Sequence, residues 1–313
     1  MSATINSREI IGKFYDRLQQ DAGNGWIPDI AMYMTSDQAS EEYNWLSMVP
    51  AMRKWEGGRN AKGLTTNSWT VTNEDYESTM EFTLKELQRD KSGQVDVRIA
   101  EQAQRALTHW NTLVSDLLIA GESTACYDGQ YFFDTDHSEG SSGTQSNDIS
   151  VDISALPASV HGSTTAPSVE EMQQAVLQGI TQITTFVDDQ AEPKNEFARE
   201  FTVMVPASMA MVAYNAFSMP PGTGVSEQRE ADGFRIKFAV NTRLSAWTTK
   251  FAVFRTDAAT KPFIIQEEVP LEVSAIAEGS ELEFKERKHQ YGLYSSRGAN
   301  YGMWDKACLV TLA

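Results

Sequence analysis

One stripe of apolar residues constrains the fold of this chain more than any other feature of its sequence. Between residues 99 and 117, apolar side chains recur at steps of four and three, the period of one helical face. The members of the stripe are Ile99, Ala103, Ala106, Trp110, Leu113 and Leu117. Gly121 follows at a position where glycine commonly ends a helix. The pattern predicts one long helix over residues 97–120 that packs a single face on a core.

A different period precedes this helix. Trp69 and Val71 alternate with threonines, and after a short polar run Tyr76, Met80 and Phe82 alternate with polar residues. Alternation on both sides of a polar turn is typical of a β-hairpin. An isolated two-stranded hairpin is marginal in water, so its apolar face needs a partner from the same chain or another chain.

The N-terminal part and the middle of the chain carry weaker patterns. Residues 5–21 have the spacing of a short amphipathic helix. Residues 26–55 show no strong period, which fits an extended arm ordered by a neighbour or a loosely packed loop. Residues 138–168 are rich in Ser, Gly and Thr and predict a long, partly mobile loop.

The C-terminal half predicts a compact α+β unit over residues 167–275. A capping box at Ser168 begins a second long helix that should end near Asp189. A strand, a short helix and two more strands follow; their predicted ranges are 201–206, 209–217, 234–240 and 251–254. The tail over 282–312 predicts strands with a glycine-rich bend.

Composition narrows the functional classes. The 43 acidic and 26 basic residues give a net charge of −17, which disfavours sequence-specific binding of nucleic acid and binding to anionic membranes. We find no signal peptide and no apolar run long enough for a membrane helix. The two cysteines, Cys126 and Cys308, fit a reducing compartment better than a disulfide scaffold.

The stretch CYDGQYFFDTDHS, residues 126–138, is the richest in reactive side chains. Asp134, Asp136 and His137 could ligate a divalent cation, and a metal-dependent hydrolase is the alternative function on that hypothesis. Against it, the spacing fits neither a calcium loop nor a zinc motif, and acidic neighbours disfavour a reactive Cys126. A structural turn at Asp128-Gly129 is the simpler interpretation, and we predict no catalytic residue, metal or cofactor.

The same stretch, preceded by a helix ending in LLIAGES, resembles a motif of the Mu-like phage major head subunits. WEGGRN at 55–60 is similar to a segment that lies before the hairpin in that family. KPFIIQE at 261–267 and RGANYGMWDKACL at 297–309 also resemble family segments. The four motifs occur in the family's order.

The resemblance implies the Hong Kong-97 type α+β fold of tailed-phage major capsid proteins. Residues 1–55 would form an N-terminal arm and 56–90 an extended β-hairpin loop. Residues 91–166 would form a peripheral domain with the long spine helix, and 167–275 an axial domain. Residues 276–313 would return to the peripheral domain.

The resemblance also implies a non-enzymatic function. The protein would be a major capsid protein of a phage or prophage that self-assembles into pentamers and hexamers of an icosahedral shell. The shell would enclose double-stranded DNA without sequence-specific binding and would be assembled in the host cytoplasm. A separate scaffolding protein and a portal would be its partners.

On this resemblance, one set of residues is expected to serve subunit contacts or structural motifs. It comprises Trp55, Arg59, Trp69, Tyr76, Phe82, Tyr127, Asp128, Gly129, Phe132, Phe133, His137, Arg297, Gly298 and Trp304. Among them, Asp128 and Gly129 would turn the chain off the spine helix, and Phe132 and Phe133 would anchor it.

Overall fold

The computed structural model describes residues 7–19, 25–43, 57, 69–90, 93–217 and 234–313. In this part of the chain the helices are α1 (Ser7–Gln19), α2 (Ile27–Ile30), α3 (Leu84–Arg89), α4 (Gln94–Leu107), α5 (His109–Ala120), α6 (Val169–Thr185), α7 (Ala210–Phe217) and α8 (Glu281–Glu286). The strands are β1 (Ala31–Thr35), β2 (Ser40–Tyr43), β3 (Trp69–Thr72), β4 (Glu74–Thr83), β5 (Asp148–Val151), β6 (Glu200–Val205), β7 (Arg235–Val240), β8 (Lys250–Arg255), β9 (Phe263–Ile276), β10 (Lys288–Tyr301) and β11 (Ala307–Leu312). None of these helices combines the length and the apolar character needed to span a bilayer.

A four-stranded sheet has the order β1-β9-β10-β4. Strands β9 and β10 form a long antiparallel hairpin, β4 extends it on one side, and β1 adds in parallel on the other. Helices α1 and α4 bury their apolar faces with one face of this sheet. The core between them contains Ile10, Phe14, Phe82, Ile99 and Tyr291.

A five-stranded sheet has the order β5-β11-β8-β6-β7 and carries the larger core. Helix α6 packs on its central strands so closely that a Cβ on Gly179 would lie 2.9 Å from the side chains of Val253 and Val310. The glycine inside this helix is therefore explained by packing, despite its cost to helix stability.

The structure confirms most of the predicted elements in the C-terminal half, and the α+β class with them. The capping box is present: the Ser168 hydroxyl accepts the Glu171 N–H at 3.1 Å, and the Glu171 carboxylate accepts the Ser168 N–H at 2.7 Å. Helix α6 ends at Thr185, slightly before the predicted Asp189. Strands β6, β7 and β8 and helices α1 and α7 lie where their patterns predicted them.

The prediction of one continuous helix over 97–120 is wrong, because the helix breaks at Thr108. The two halves serve different cores. Ile99 of α4 belongs to the core of the four-stranded sheet, whereas Val114 and Leu118 of α5 belong to the core of the five-stranded sheet. The Thr108 hydroxyl donates to the Gln104 carbonyl at 3.0 Å, so the break is satisfied locally.

The prediction that β3 and β4 form a hairpin is also wrong for the described residues. Strand β3 pairs with β2, and β4 pairs with β10. Only Asn73 separates β3 from β4, and its side-chain amide donates to the Gln38 carbonyl at 2.7 Å. Before Asn73 the apolar residues of the alternating pattern have odd numbers, and after it they have even numbers. One extra residue in an otherwise continuous strand produces this change of phase. Residue 56 and residues 58–68 of the predicted loop lie outside the described residues.

The described part of the predicted N-terminal arm is ordered by contacts within its own chain. Strand β1 pairs with residues 263–267 of β9, and β2 pairs with β3. The predicted long loop over 138–168 is also more regular than expected, since it contains β5 and two 3₁₀ turns. Both corrections arise from pairings with segments that are distant in sequence.

The two sheets do not follow the linear domain boundaries expected from the resemblance. Strand β9 begins inside the range 167–275 but lies in the four-stranded sheet. Strand β11 lies inside the range 276–313 but is an inner strand of the five-stranded sheet, between β5 and β8. Each sheet is therefore built from segments that are far apart in the sequence, and the chain crosses between the sheets at residues 302–306.

Candidate functional site

The stretch with the most reactive side chains lies at this crossing. The 3₁₀ turn Trp304–Lys306 connects β10 of one sheet to β11 of the other, and Trp304 is fully buried. The Trp304 indole stacks on the His137 imidazole with ring centroids 4.0 Å apart and an interplanar angle of 6°. We call this region, residues 126–147 with residues 304–306 and the side chains that pair with them, the junction.

A tight turn leads the chain into the junction after α5. The Cys126 N–H donates to the Gln130 carbonyl at 2.7 Å, and the Gly129 N–H donates to the Cys126 carbonyl at 3.0 Å. Gly129 has a φ of 89°, a region that side chains rarely adopt. The Asp128 carboxylate accepts the Gln130 N–H at 3.1 Å, which completes the turn. The Asp-Gly dipeptide therefore forms the turn that its composition predicts.

His137 is held between two oxygen acceptors. Its Nδ1 lies 2.7 Å from Asp128 Oδ2, and its Nε2 lies 3.3 Å from Asn147 Oδ1. The orientation of the Asn147 amide follows from its other bonds: its nitrogen donates to the Phe132 carbonyl at 2.7 Å, and its oxygen accepts the Asp134 N–H at 2.9 Å. Both ring nitrogens of His137 consequently face oxygen atoms that can accept a hydrogen bond.

Cys126, Asp128 and His137 present ligand atoms within 4.8 Å of one another, which makes them a candidate cation site. Their hydrogen bonds favour another role. Burial raises the pKa of the Cys126 thiol and the charge of Asp128 raises it further, so the thiol stays protonated and donates to Asp128 Oδ1 at 3.0 Å. Burial also raises the pKa of Asp128, but the bonds from His137 and Cys126 outweigh it and leave the pKa below its usual value. The cluster is already satisfied without a cation.

The alternative hypothesis of a metal site at Asp134, Asp136 and His137 is not supported by their positions. Asp134 uses its two oxygens to accept the N–H groups of Tyr131 and Thr135, at 3.1 and 2.7 Å. Asp136 is exposed, whereas His137 is fully buried. Among the residues that the structure describes, neither aspartate belongs to a group of three converging ligands. In this structure the stretch forms a turn, and Phe132 and Phe133 beside it are buried.

A buried ion network lies beside the His137 cluster. Lys306 Nζ lies 2.9 Å from Asp305 Oδ2, and Lys194 Nζ lies 3.6 Å from the same oxygen and 3.2 Å from Glu139 Oε2. Burial raises the pKa of Asp305, but the two ammonium groups more than offset it and lower the pKa to about 2. The network joins the motif stretch to the loop after α6 and to the crossing turn.

Asn195 is the centre of this network. Its oxygen accepts from Arg255 Nη1 at 2.8 Å and from Lys306 Nζ at 2.7 Å. Its nitrogen donates to the carbonyls of Ile183 and Asp305, at 2.7 and 2.8 Å. A completely bonded buried amide tolerates only one arrangement of its neighbours. Asn147, Lys194 and Asn195 were absent from the predicted residues, because a single polar residue in a loop carries no periodic signal.

The remaining predicted residues near the motif are packing residues. Phe132 is fully buried and stacks on Tyr301 with centroids 4.6 Å apart. Phe133 lies under Gly121, where an added Cβ would come within 2.6 Å of its ring. The Tyr127 hydroxyl donates to Glu139 at 2.9 Å, inside the ion network.

A second group of predicted residues lies on the four-stranded sheet, away from the junction. The guanidinium of Arg297 lies 4.6 Å from the centroid of the Trp110 ring and 3.0 Å from a Glu267 oxygen. Gly298 lies so close to β3 that an added Cβ would come within 2.4 Å of the Thr72 carbonyl oxygen. Tyr76 contacts His109 edge to face with centroids 4.4 Å apart.

Four predicted residues remain. Two of them pack against a core, and two lie outside the residues that the structure describes. Phe82 is buried in the core under the four-stranded sheet, and Trp69 of β3 is partly buried against the larger core. Trp55 and Arg59 lie outside the described residues. The structure thus brings the predicted residues together in two places rather than in one site.

Known proteins match the first half of the chain in sequence. Residues 9–156 match the family model of the Mu-like prophage major head subunit gpT. The chain is 34% identical over 123 residues to the Mu-like prophage FluMu major head subunit of Haemophilus influenzae, and 30% identical over 108 residues to the major capsid protein of Escherichia phage Mu. These matches cover 39% and 34% of this chain, and 40% and 35% of the relatives.

Solved structures extend the likeness to almost the whole chain. The procapsid of bacteriophage JBD30 aligns with a TM-score of 0.54 at 20% identity, over 96% of this chain and 73% of that chain. A virus-like particle from Pyrococcus furiosus gives 0.55 at 10% identity, over 97% and 98%. The capsid of Cyanophage P-SCSP1u gives 0.58 at 11% identity, over 91% and 87%.

The resemblance stated from the motifs is therefore confirmed for residues 9–156, and the solved structures extend the likeness of fold to the second half of the chain. Residues 9–156 match the Mu-like prophage major head subunit gpT family, and the chain as a whole has the Hong Kong-97 type α+β fold seen in the phage capsids with which it aligns.

Proposed function

We propose that this protein is the major capsid subunit of a tailed phage or prophage, and that its copies form an icosahedral shell around double-stranded DNA. One observation carries the proposal: two phage capsid structures and a virus-like particle align over more than nine tenths of the chain. The matching relatives are named as head or capsid proteins, which supports a structural rather than an enzymatic function.

The chemistry of the junction supports the same conclusion. Its thiol, imidazole and carboxylates are buried and bonded to one another or to neighbouring side chains at the crossing between the sheets. An enzyme needs such groups next to a space that a substrate can enter. The net charge of −17 also suits a shell that must hold DNA without binding it tightly.

We further propose how the sheets correspond to capsid domains. The four-stranded sheet with α1 and α4 would be the peripheral domain, and the five-stranded sheet with α6 and α7 the axial domain. Residues 56–90 would supply the extended loop and residues 1–55 the arm. Copies would form pentamers and hexamers in the host cytoplasm with a separate scaffolding protein and a portal, and the finished shell would belong to the virion.

Negative-stain electron microscopy of the purified full chain, with light scattering on the same sample, tests the proposal. Closed shells, or rings of five and six subunits, are the expected result. A variant with Asp305→Asn should assemble poorly, because it removes the counter-charge of Lys306 from the buried crossing turn. A discrete small oligomer without any ring or shell, such as a stable trimer, would contradict the proposed function.

A further inference from the structure

A cavity of about 330 Å³ lies between α3 and α4 at the far end of the four-stranded sheet from the junction. Phe82 and Val95 contribute apolar surface to it, and both are buried. Lys85, Arg89 and Arg98 line it with positive charge. A cavity with an apolar floor and a cationic rim suits an aromatic side chain that is accompanied by carboxylates.

The cations of this cavity keep their charge available. Among the described residues, no carboxylate lies within ion-pair distance of Lys85, Arg89 or Arg98. The two carboxylates in the cavity wall are committed to the backbone. Glu86 accepts the Thr83 N–H at 2.8 Å, a bond that lowers its pKa, with a smaller contribution from the charge of Arg98.

The second wall carboxylate, Asp90, caps the start of α4. Its two oxygens accept the N–H groups of Gln94 and Val95, each at 3.0 Å. Both wall carboxylates stay ionised while they accept these bonds. Three cations and two carboxylates therefore line the cavity, which leaves it with a net positive formal charge.

A complementary surface lies on α8, at the turn between β9 and β10. Phe284 is 89% exposed there, more than any other large apolar side chain in the described part of the chain. Glu281, Glu283 and Glu286 surround it in the sequence of the same short helix. The Ser280 hydroxyl accepts the Glu283 N–H at 3.1 Å and fixes the first turn. We call Phe284 with these three glutamates the knob.

The knob and the cavity are neighbours in one molecule. The Leu84 N–H at the start of α3 donates to the Arg287 carbonyl at the end of α8, at 2.9 Å. Lys288 pairs with Thr83 in the sheet register. Despite this proximity Phe284 stays exposed, so the knob does not fill the cavity of its own molecule.

We propose that the knob of one copy enters the cavity of a second copy. Phe284 would cover the apolar floor. Glu281 and Glu286, which pair with Lys285 and Lys288 in solvent-accessible ion pairs, would exchange these partners for the cations of the cavity. Because the knob and the cavity adjoin, a two-fold arrangement makes both contacts at once, which is the property of an isologous interface. The inference rests on the proposed function only in requiring that copies of the chain associate.

Disulfide trapping between two variants of the full chain tests the contact. Phe284→Cys and Arg98→Cys are purified separately, one with a small tag, then mixed and oxidised; the native Cys126 and Cys308 are buried. A mixed disulfide dimer is expected on a non-reducing gel, at least tenfold more abundant than from the control mixture of Phe197→Cys with Arg98→Cys. Phe197 is the matched control because it is also an exposed phenylalanine, at 76%. Equal trapping in both mixtures, or none, would overturn the proposal.

A second measurement separates this contact from the proposed function. Phe284→Ala should weaken association between copies at least tenfold in sedimentation, as expected for an interface anchor, whereas Phe197→Ala should not. Shells that form without the trapped dimer would overturn the knob contact and leave the capsid proposal intact. A trapped dimer that never forms rings or shells would support the contact and count against the capsid proposal.

Discussion

The two ends of strand β10 place charged side chains in opposite environments. Beyond its C-terminal end, Asp305 and Lys306 pair at 2.9 Å with side-chain exposures of 1% and 8%. At its N-terminal end, Lys288 pairs with Glu286 at 3.2 Å with exposures of 32% and 53%. A desolvated pair is costly to leave incomplete, while a solvated pair contributes little to stability. The comparison indicates that the junction end fixes the fold and that the distal end is available to partners.

The largest effect is expected from breaking the buried pair. Asp305→Asn keeps the shape of the side chain but leaves Lys306 buried without its counter-charge and Lys194 with Glu139 alone. We expect a loss of about 3–5 kcal/mol in the free energy of unfolding. Urea unfolding followed by tryptophan fluorescence measures it, and Glu286→Gln at the distal end is the control. Similar losses in both variants would remove the distinction between the two ends.

The contribution of the buried Asp305 to the free energy of unfolding should also depend on pH. The pKa of Asp305 is about 2 in the folded state and 3.8 is its ordinary value. Since the folded pKa is lowered, this stabilisation is complete above about pH 4 and is lost as the pH falls towards 2. A shift of this size corresponds to about 2 kcal/mol.

The measurement is the stability of the wild-type chain minus that of Asp305→Asn across this range of pH. The difference should be constant from pH 7 to about 4 and then shrink. A difference that shrinks already between pH 7 and 5 would assign the stabilisation to another group.

Two glycines of β10 provide a test on one strand. A Cβ on Gly298 would lie 2.4 Å from the backbone oxygen of Thr72, which cannot move without shifting β3. A Cβ on Gly292 would lie 3.3 Å from the end of the Thr79 side chain. We therefore expect Gly298→Ala to cost about 1–3 kcal/mol, as overpacking does, and Gly292→Ala to cost much less. Equal thermal midpoints for the two variants would show that β3 moves freely.

Local periodicity predicted where helices and strands occur, but not which strands pair or which core each helix packs against. The stripe from Ile99 to Leu117 indicated helix correctly, yet the break at Thr108 depends on two cores that lie on different sheets. Likewise, the alternation around Asn73 fits a hairpin or a slipped strand equally well. Only the partners β2 and β10 decide between them, and both partners are distant in sequence.

In the candidate site, too, the sequence identified only some of the polar residues that form it. The stretch from Cys126 to His137 was identifiable by its composition and its resemblance, and the turn at Gly129 by its dipeptide. Asn147 and Asn195 were not, because each acts through hydrogen bonds to segments that the sequence does not bring together. Buried amides of this kind become recognisable only when the carbonyls they bond are placed around them.

The smallest effect on stability is expected at the knob. Glu281 and Lys285 pair across one helical turn with exposures of 76% and 65%. Glu281→Gln should therefore leave the urea midpoint unchanged, because such pairs are solvated and screened by salt. The same variant should weaken association between copies at low salt, where its charge would face the cationic cavity. A midpoint shift as large as that of Asp305→Asn would mean that the distal end supports the fold after all, and that its exposed charges are not reserved for a partner.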